Sequence, residues 1–319
     1  MGAVSCSNAG EDRVLAIEAD AVLAGLVYFD GDGSGSIGFA DSPLEGVRIH
    51  LLARGTIDTV ASVTSDAEGA YVVPGLPVGN YEIRVDTATI GDSVQVVRVD
   101  TSLVTLAPAD SQFVTVIVSF PVRTIEEARA APPGERFFVE GIALNANGGF
   151  GDSTLHVADS AFAIRATNVQ RGFVFPGDSV RLLGTRATRD GQPTLDEARA
   201  FVVAIVTAPA ALDVTSATAA GADGGRLDAN LVRVVEATIT DTATAGDDFA
   251  LTVDDGSGPL RVVLDVDLVF TLDPFLPESV TTVTGLLLPD TGGTWLLKPR
   301  ARQDIAVVTP AQAGPARER

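Results

Sequence analysis

From residue 22 onward the chain breaks into short apolar runs separated by turn residues at regular spacing, and no long stretch sustains a helical 3.6-residue period. The first runs fall at 22–29, 46–53, 59–64, 70–73, 79–85, 94–106 and 113–120. Seven short strands in roughly 100 residues predict a β-sandwich. After a Thr124-Ile-Glu-Glu-Ala-Arg-Ala130 segment, whose Thr124 and Glu127 have capping-box spacing, and a Pro132-Pro-Gly134 break, further strands are expected at 137–144, 153–158, 161–166, 179–187 and 199–206. Five strands with these turns fit a small Greek-key barrel. A second copy follows at 212–308: 231–237 matches the first barrel strand, 249–264 the next hairpin and Val280-Thr-Thr-Val-Thr-Gly285 the fourth strand. The repeat period is about 90 to 100 residues, so the reading is all-β with one sandwich and two tandem barrels.

Between the first two strands lies Asp30-Gly-Asp-Gly-Ser-Gly-Ser-Ile-Gly-Phe-Ala-Asp41. Calcium takes six to eight oxygens, and a twelve-residue loop supplies them from positions 1, 3, 5, 7, 9 and 12, with glycine at 6 for the sharp turn. Here those positions are Asp30, Asp32, Ser34, Ser36 through its carbonyl, Gly38 through water, and Asp41, with Gly35 at 6. The last ligand is Asp rather than the longer Glu, and the flanks are strands, so a weak, extracellular-type structural calcium site is expected and no helix-loop-helix hand. The alternative is an Asp/Gly/Ser surface turn without an ion.

The order of motifs carries a resemblance. Gly25-Leu-Val-Tyr-Phe-Asp30, the acidic loop, Pro43-Leu-Glu-Gly-Val-Arg-Ile-His-Leu51, Thr64-Ser-Asp-Ala-Glu-Gly-Ala-Tyr71 and Gly75-Leu-Pro-Val-Gly-Asn-Tyr81 resemble the carboxypeptidase-regulatory-like and Cna-B-like domains. The loop is similar to the B-type repeats of staphylococcal Sdr adhesins. That resemblance implies a seven-stranded immunoglobulin/prealbumin-like β-sandwich of the extracellular kind that serves as stalk, spacer or ligand-presenting unit. The lysine–asparagine isopeptide bond of some Cna-B-like members has no counterpart, because the single lysine of the chain is Lys298. Leu155-His-Val-Ala-Asp159, Ala163-Ile-Arg165 and Pro176-Gly-Asp-Ser-Val-Arg-Leu-Leu-Gly184 resemble secreted OB-fold domains found beside nucleases or phosphatases, so the barrels are read as two tandem OB-like β-barrels.

The net charge of −20 is uneven: −11 over residues 1–122, −1 over 123–208 and −9 over 209–308. Such a field repels phosphate backbones and anionic lipids and favours cations, which disfavours nucleic acid as a partner. The middle barrel alone has the arginines and phenylalanines of a stacking groove, and Arg165 and Phe173 are its candidate ligand residues. In the last barrel, Trp295, Lys298 and Arg300 form a basic-aromatic corner for a glycan or partner. The competing reading puts these phenylalanines in the core, pairs the arginines with carboxylates and packs Trp295 across the barrel mouth. Catalysis is not expected. His50 and His156 both lie mid-strand, and Asp247-Asp248 and Asp254-Asp255 belong to turns, with a further calcium position there lacking the full spacing.

Cys6, in Ala3-Val-Ser-Cys-Ser-Asn-Ala-Gly10, resembles the cleavage box of a bacterial lipoprotein, without the basic and apolar stretch that precedes one; a stray cysteine is the alternative. The expected organisation is a leader or tether (1–20), sandwich (21–122), barrels (123–208 and 209–308) and a disordered Ala/Pro/Arg-rich tail (309–319). The function these features imply is a non-enzymatic structural or adhesive module, secreted or on the outer surface of a bacterium. Its expected partners are other surface proteins or copies of itself, as in a filament, with a glycan possible and a membrane reached only through a lipid anchor. The alternative is an OB-type binder of oligosaccharide or single-stranded nucleic acid, accessory to a secreted hydrolase.

Overall fold

In β1, Ala21–Asp30, buried residues alternate with half-buried ones as far as Tyr28, the period of a strand with one face on a core. The structure is a computed structural model, describing residues 21–170, 172–268, 270 and 275–308. The leader, Cys6, Arg171 and the 309–319 tail lie outside the described residues. The chain divides into two units between Ser119 and Phe120.

The first unit contains β1 (Ala21–Asp30), β2 (Ser42–Pro43), β3 (Arg48–Ala53), β4 (Thr59–Thr64), β5 (Ala70–Leu76), β6 (Gly79–Val85), β7 (Gln95–Val99), β8 (Leu103–Leu106) and β9 (Ser111–Ser119). One sheet runs β2-β1-β9-β7 with β5 also on β1; the other runs β4-β3-β6-β8. They enclose a core that includes Leu23, Val27, Ile49, Leu51, Tyr71 and Val116. The run at 94–106, expected as one strand, is two strands in opposite sheets. Asp100-Thr101-Ser102 interrupts it, and the Thr101 hydroxyl donates to the Leu103 carbonyl at 2.7 Å. The expected sandwich is present, with this crossing between its sheets.

Strand β1 is central: it pairs antiparallel with β5 and parallel with β9 from Val22↔Ser111 to Asp30↔Ser119. At Gly25 the buried Tyr71 side chain from β5 crosses β1 and donates its hydroxyl to the Val114 carbonyl of β9 at 2.7 Å. A Cβ at Gly25 would lie 1.9 Å from that carbonyl and 2.4 Å from that hydroxyl, so only glycine lets the three strands be tied there.

The second unit holds two barrels of the same topology. The first comprises β10 (Val122–Arg123), α1 (Ile125–Ala130), β11 (Arg136–Ala143), β12 (Leu155–Ala158), β13 (Ala163–Ala166), β14 (Asp178–Arg189) and β15 (Gln192–Ile205). The second comprises β16 (Leu212–Asp213), α2 (Ser216–Gly221), β17 (Leu231–Ala245), β18 (Asp248–Asp254), β19 (Leu260–Leu264), β20 (Val280–Pro289), β21 (Trp295–Lys298) and β22 (Ile305–Val308). Closure runs β11-β12-β13-β15-β14-β11 and β17-β18-β19-β21-β20-β17, with β13–β15 and β19–β21 parallel. These are five-stranded OB-like barrels.

The repeat extends to detail. Thr124 caps α1 through the expected capping box with Glu127, and Thr215 caps α2. Strand β15 is a continuous partner of β14, whereas in the second barrel β21 and β22 share that role on β20. Between them Arg300 turns its guanidinium onto Asp304. The start of β15 at Gln192 was missed in the sequence because Gln-Pro-Thr is a poor strand pattern. Asp190 (φ +54°) and Gly191 (φ +75°) form a two-residue left-handed turn that brings Gln192 opposite Arg189.

His156 on β12 is fully buried, its ring Nδ1 3.2 Å from the Asn145 side-chain oxygen. Burial, reinforced by the nearby Arg165 and Lys298 charges, lowers its pKa from 6.5 to about 3. The unfolded chain therefore takes up a proton near pH 6.5 that the folded one refuses, so this contribution is complete above pH 6.5 and lost as pH falls below it. Urea denaturation between pH 7.5 and 5 should show the barrels losing stability with a slope approaching about 1.4 kcal/mol per pH unit. The slope should be absent in His156→Gln.

Candidate functional site

The acidic loop leaves the end of β1 and returns at β2, so the central strand aims Asp30 into the loop rather than outward. Asp30 is 1% exposed. Its carboxylate accepts from the Ser34 amide (3.1 Å) and the Gly35 amide (2.8 Å), and Asp32 accepts from the Ser34 amide (2.9 Å). Gly35, at the sixth position, has φ +71°, the left-handed turn expected there. Asp41 closes the loop, accepting from Gly31 (2.9 Å) and Gly38 (2.7 Å).

These bonds bring carboxylate oxygens of Asp30, Asp32 and Asp41 within 4.8 Å of one another, the one such group of acidic, histidine or cysteine side chains among the described residues. Burial raises the Asp30 pKa; the Gly35 amide opposes the rise, while Asp32 and Asp41 add to it. A hard cation among three carboxylates would remove that repulsion, and an all-oxygen donor set is the kind such cations take. Of the other sequence-derived ligands, two bond to each other: the Ser34 hydroxyl donates to the Ser36 carbonyl at 2.9 Å. The sequence reading missed Arg98, whose guanidinium donates to the Gly35 carbonyl at 3.3 Å and pairs with Asp100 at 2.9 Å. It lies 63 residues from Gly35, and nothing in its local sequence marks it.

The carboxylates in the second barrel are differently employed. Asp255 accepts from the amides and hydroxyls of Ser216 and Ser257, fastening the start of α2. Burial alone would raise its pKa, but the serine hydrogen bonds outweigh that and lower it to about 2. Asp248 accepts from the Val266 amide.

The candidate ligand residues of the barrels gather largely at the seam between the two barrels. On the outer side of β12 and β13, His156 and Ala163 are 0% exposed and Ala158 5%. Ala158 and Ala163 pack with Leu144 and Phe150 against Ala229, Leu231 and Leu286 of the second barrel. OB barrels commonly bind ligands across this pair of strands; here the second barrel covers it. Trp295 donates its indole N–H to Asp228 at 2.9 Å. Lys298 pairs with Asp265 and lies 4.7 Å from the Phe150 ring centre, and Arg300 donates to the Leu144 carbonyl at 2.7 Å. Arg165 pairs with Asp190 of the following hairpin at 2.9 Å, an arrangement duplicated by Arg261 and Asp290 in the second barrel. Phe173 remains 86% exposed and Phe175 59%. Arg129, from α1, supplies a further tie by donating to the Ala163 and Gly225 carbonyls (both 2.8 Å), with its guanidinium 3.8 Å from the buried Asp228 carboxylate.

The first unit is thus a β-sandwich carrying an acidic loop at the end of its central strand. Residues 35–116 match the family model of the carboxypeptidase regulatory-like domain. The match begins after Asp30, Asp32 and Ser34, so it does not include the start of the acidic loop. A search of curated protein sequences returns no match. Solved structures similar to parts of the chain include asparaginyl-tRNA synthetase from Pyrococcus horikoshii in complex with asparaginyl-adenylate (17% identity, 32% of this chain and 23% of that one, TM-score 0.26). Others are a minor pilin of Streptococcus agalactiae (19%, 33% and 46%, TM-score 0.25) and a murine DNA-binding protein bound to double-stranded DNA (10%, 54% and 99%, TM-score 0.30). The chain spans less than a quarter of the synthetase and less than half of the pilin.

Removing Arg129 would strand Asp228 in the seam without its cation. Arg129→Met should therefore lower the urea midpoint of the second unit, equivalent to about 3 kcal/mol, and adding Asp228→Asn should recover part of the loss.

Proposed function

We propose that this chain is a non-enzymatic structural or adhesive module, secreted or on the outer surface of a bacterium, whose sandwich is clamped by calcium. The observation that carries the reading is the convergence of Asp30, Asp32 and Asp41 at the end of the central strand. In this reading their carboxylates hold the ion together with the Ser34 hydroxyl and the Ser36 carbonyl, while Arg98 steadies the loop through Gly35. Bound calcium supplies positive charge and nothing further. It relieves the mutual repulsion of three carboxylates and part of the −11 carried by residues 1–122.

Because the ligands are brought together only by folding, the ion stabilises the folded state by mass action. The match to a regulatory-like domain supports a structural role for the sandwich. Coverage of the first barrel's β12–β13 face supports treating the barrels as a docked pair rather than as an open nucleic-acid groove. Partners in this reading are other surface proteins or further copies of the chain, and a membrane is approached only through a lipid at Cys6.

Differential scanning of the full chain with calcium and with excess chelator tests the clamp. At calcium 100 times its dissociation constant the first unit should gain about 2.7 kcal/mol, seen as a raised melting transition that chelation reverses. A transition unmoved by either treatment contradicts the clamp.

A further inference from the structure

The two sheets of the sandwich differ in the charges and prolines at their edges. In the first sheet, β2 ends in Pro43, β5 carries Pro74 and Gly75, and β7 carries Arg98 beside a register irregularity between Val96 and Arg98. Prolines, charges and bulges are the devices by which sheets discourage further pairing. In the second sheet, β4 is Thr59-Val-Ala-Ser-Val-Thr64 and β8 is Leu103-Val-Thr-Leu106, with neither a charge nor a proline in either strand. Among the described residues both are edges of that sheet. Each exposes an aliphatic side chain, Val60 at 43% and Leu103 at 49%. β4 has one bulge, at Val60 between the pairings of Thr59 and Ala61, and β8 is four residues long, so these edges are blunted too, though less than those of the first sheet; Ala61–Thr64 stay in regular register with β3.

We propose that this second sheet is a polymerising surface and that its partner is the same sheet of another copy, β8 of one chain pairing antiparallel with β4 of the next. The strand senses match without inverting the copy. The pairs β3–β4, β3–β6 and β6–β8 are all antiparallel, so across the order β4-β3-β6-β8 the first and last strands run oppositely. A copy displaced sideways presents β4 to β8 with antiparallel sense and with its core-facing side on the same side of the extended sheet. Donor and acceptor edges then differ, which makes the contact heterologous and open-ended rather than a closed dimer. Strand twist of roughly −20 to −25° per step winds the extended sheet into a helix. The −11 charge of residues 1–122 opposes the contact, and salt screens that repulsion beyond about 10 Å at 0.1 M. Assembly therefore strengthens with ionic strength as well as with concentration.

This proposal rests on the structural reading above but not on the calcium clamp. Its test is sedimentation and negative-stain microscopy of the full chain at rising protein concentration in low and high salt, alongside Val60→Lys and Leu103→Lys. Both positions are exposed, and an unchanged melting transition verifies the fold of each variant. The native chain should form polymers that lengthen with concentration and salt, and each variant alone should remain monomeric. An equimolar mixture should give a one-to-one dimer, because Val60→Lys retains β8 and Leu103→Lys retains β4. A native chain that stays monomeric, a closed native dimer, or assembly equal in native and variant chains overturns the proposal. The calcium response of the melt is read separately, so its failure and the failure of this assembly are distinguishable.

Discussion

The carboxylate of Asp30 is the point on which the first unit turns. It sits at the end of a strand flanked by β5 and β9, nearly inaccessible to water, and is held by the amides of Ser34 and Gly35. A buried carboxylate is tolerated when hydrogen bonds or a cation compensate it. Two amides supply part of that compensation, while Asp32 and Asp41 work against it. The loop is thus folded around an electrostatic tension that a bound cation would relieve. The Tyr71 bridge over Gly25 fixes the same strand farther back. The loop consequently projects from a strand held on both sides.

The second unit is organised by a different constraint, the covering of one barrel by the other. Apolar contacts around Leu144, Ala163, Leu231 and Leu286 supply the dry part of the seam, and Arg129, Asp228, Trp295 and Arg300 satisfy polar groups around it. A face on which OB barrels commonly bind ligands is here used for packing. Basic and aromatic residues that suggest recognition when read one at a time are largely internal fastenings. The repeated pairing of Arg165 with Asp190 and Arg261 with Asp290 has the same structural character.

Much of the architecture was legible because strand period, turn chemistry and the internal repeat all act locally. The Thr124–Glu127 capping box and the left-handed Gly35 follow from spacing alone. Illegible were the consequences of tertiary placement. No pattern near residues 94–106 says that the chain changes sheets at Asp100, and none near Arg98 says that it reaches Gly35. Trp295, Lys298 and Arg300 form a basic-aromatic cluster in sequence, but their engagement is decided by Asp228, Asp265 and Leu144, contributed by distant segments. For the acidic loop, the spacing identified the three carboxylates that converge, while the mutual bonding of Ser34 and Ser36 could be seen only in three dimensions.

A calcium clamp requires Asp30 to act as a cation ligand rather than as a purely internal cap. Calorimetric titration of the full chain with calcium, in parallel with Asp30→Asn and Asp32→Asn, addresses this directly. A single saturable site is expected in the native chain, lost or strongly weakened in both variants, with magnesium a poor substitute because it demands stricter octahedral geometry. No calcium-dependent heat at any temperature, or the same isotherm in native and variant chains, would contradict the clamp.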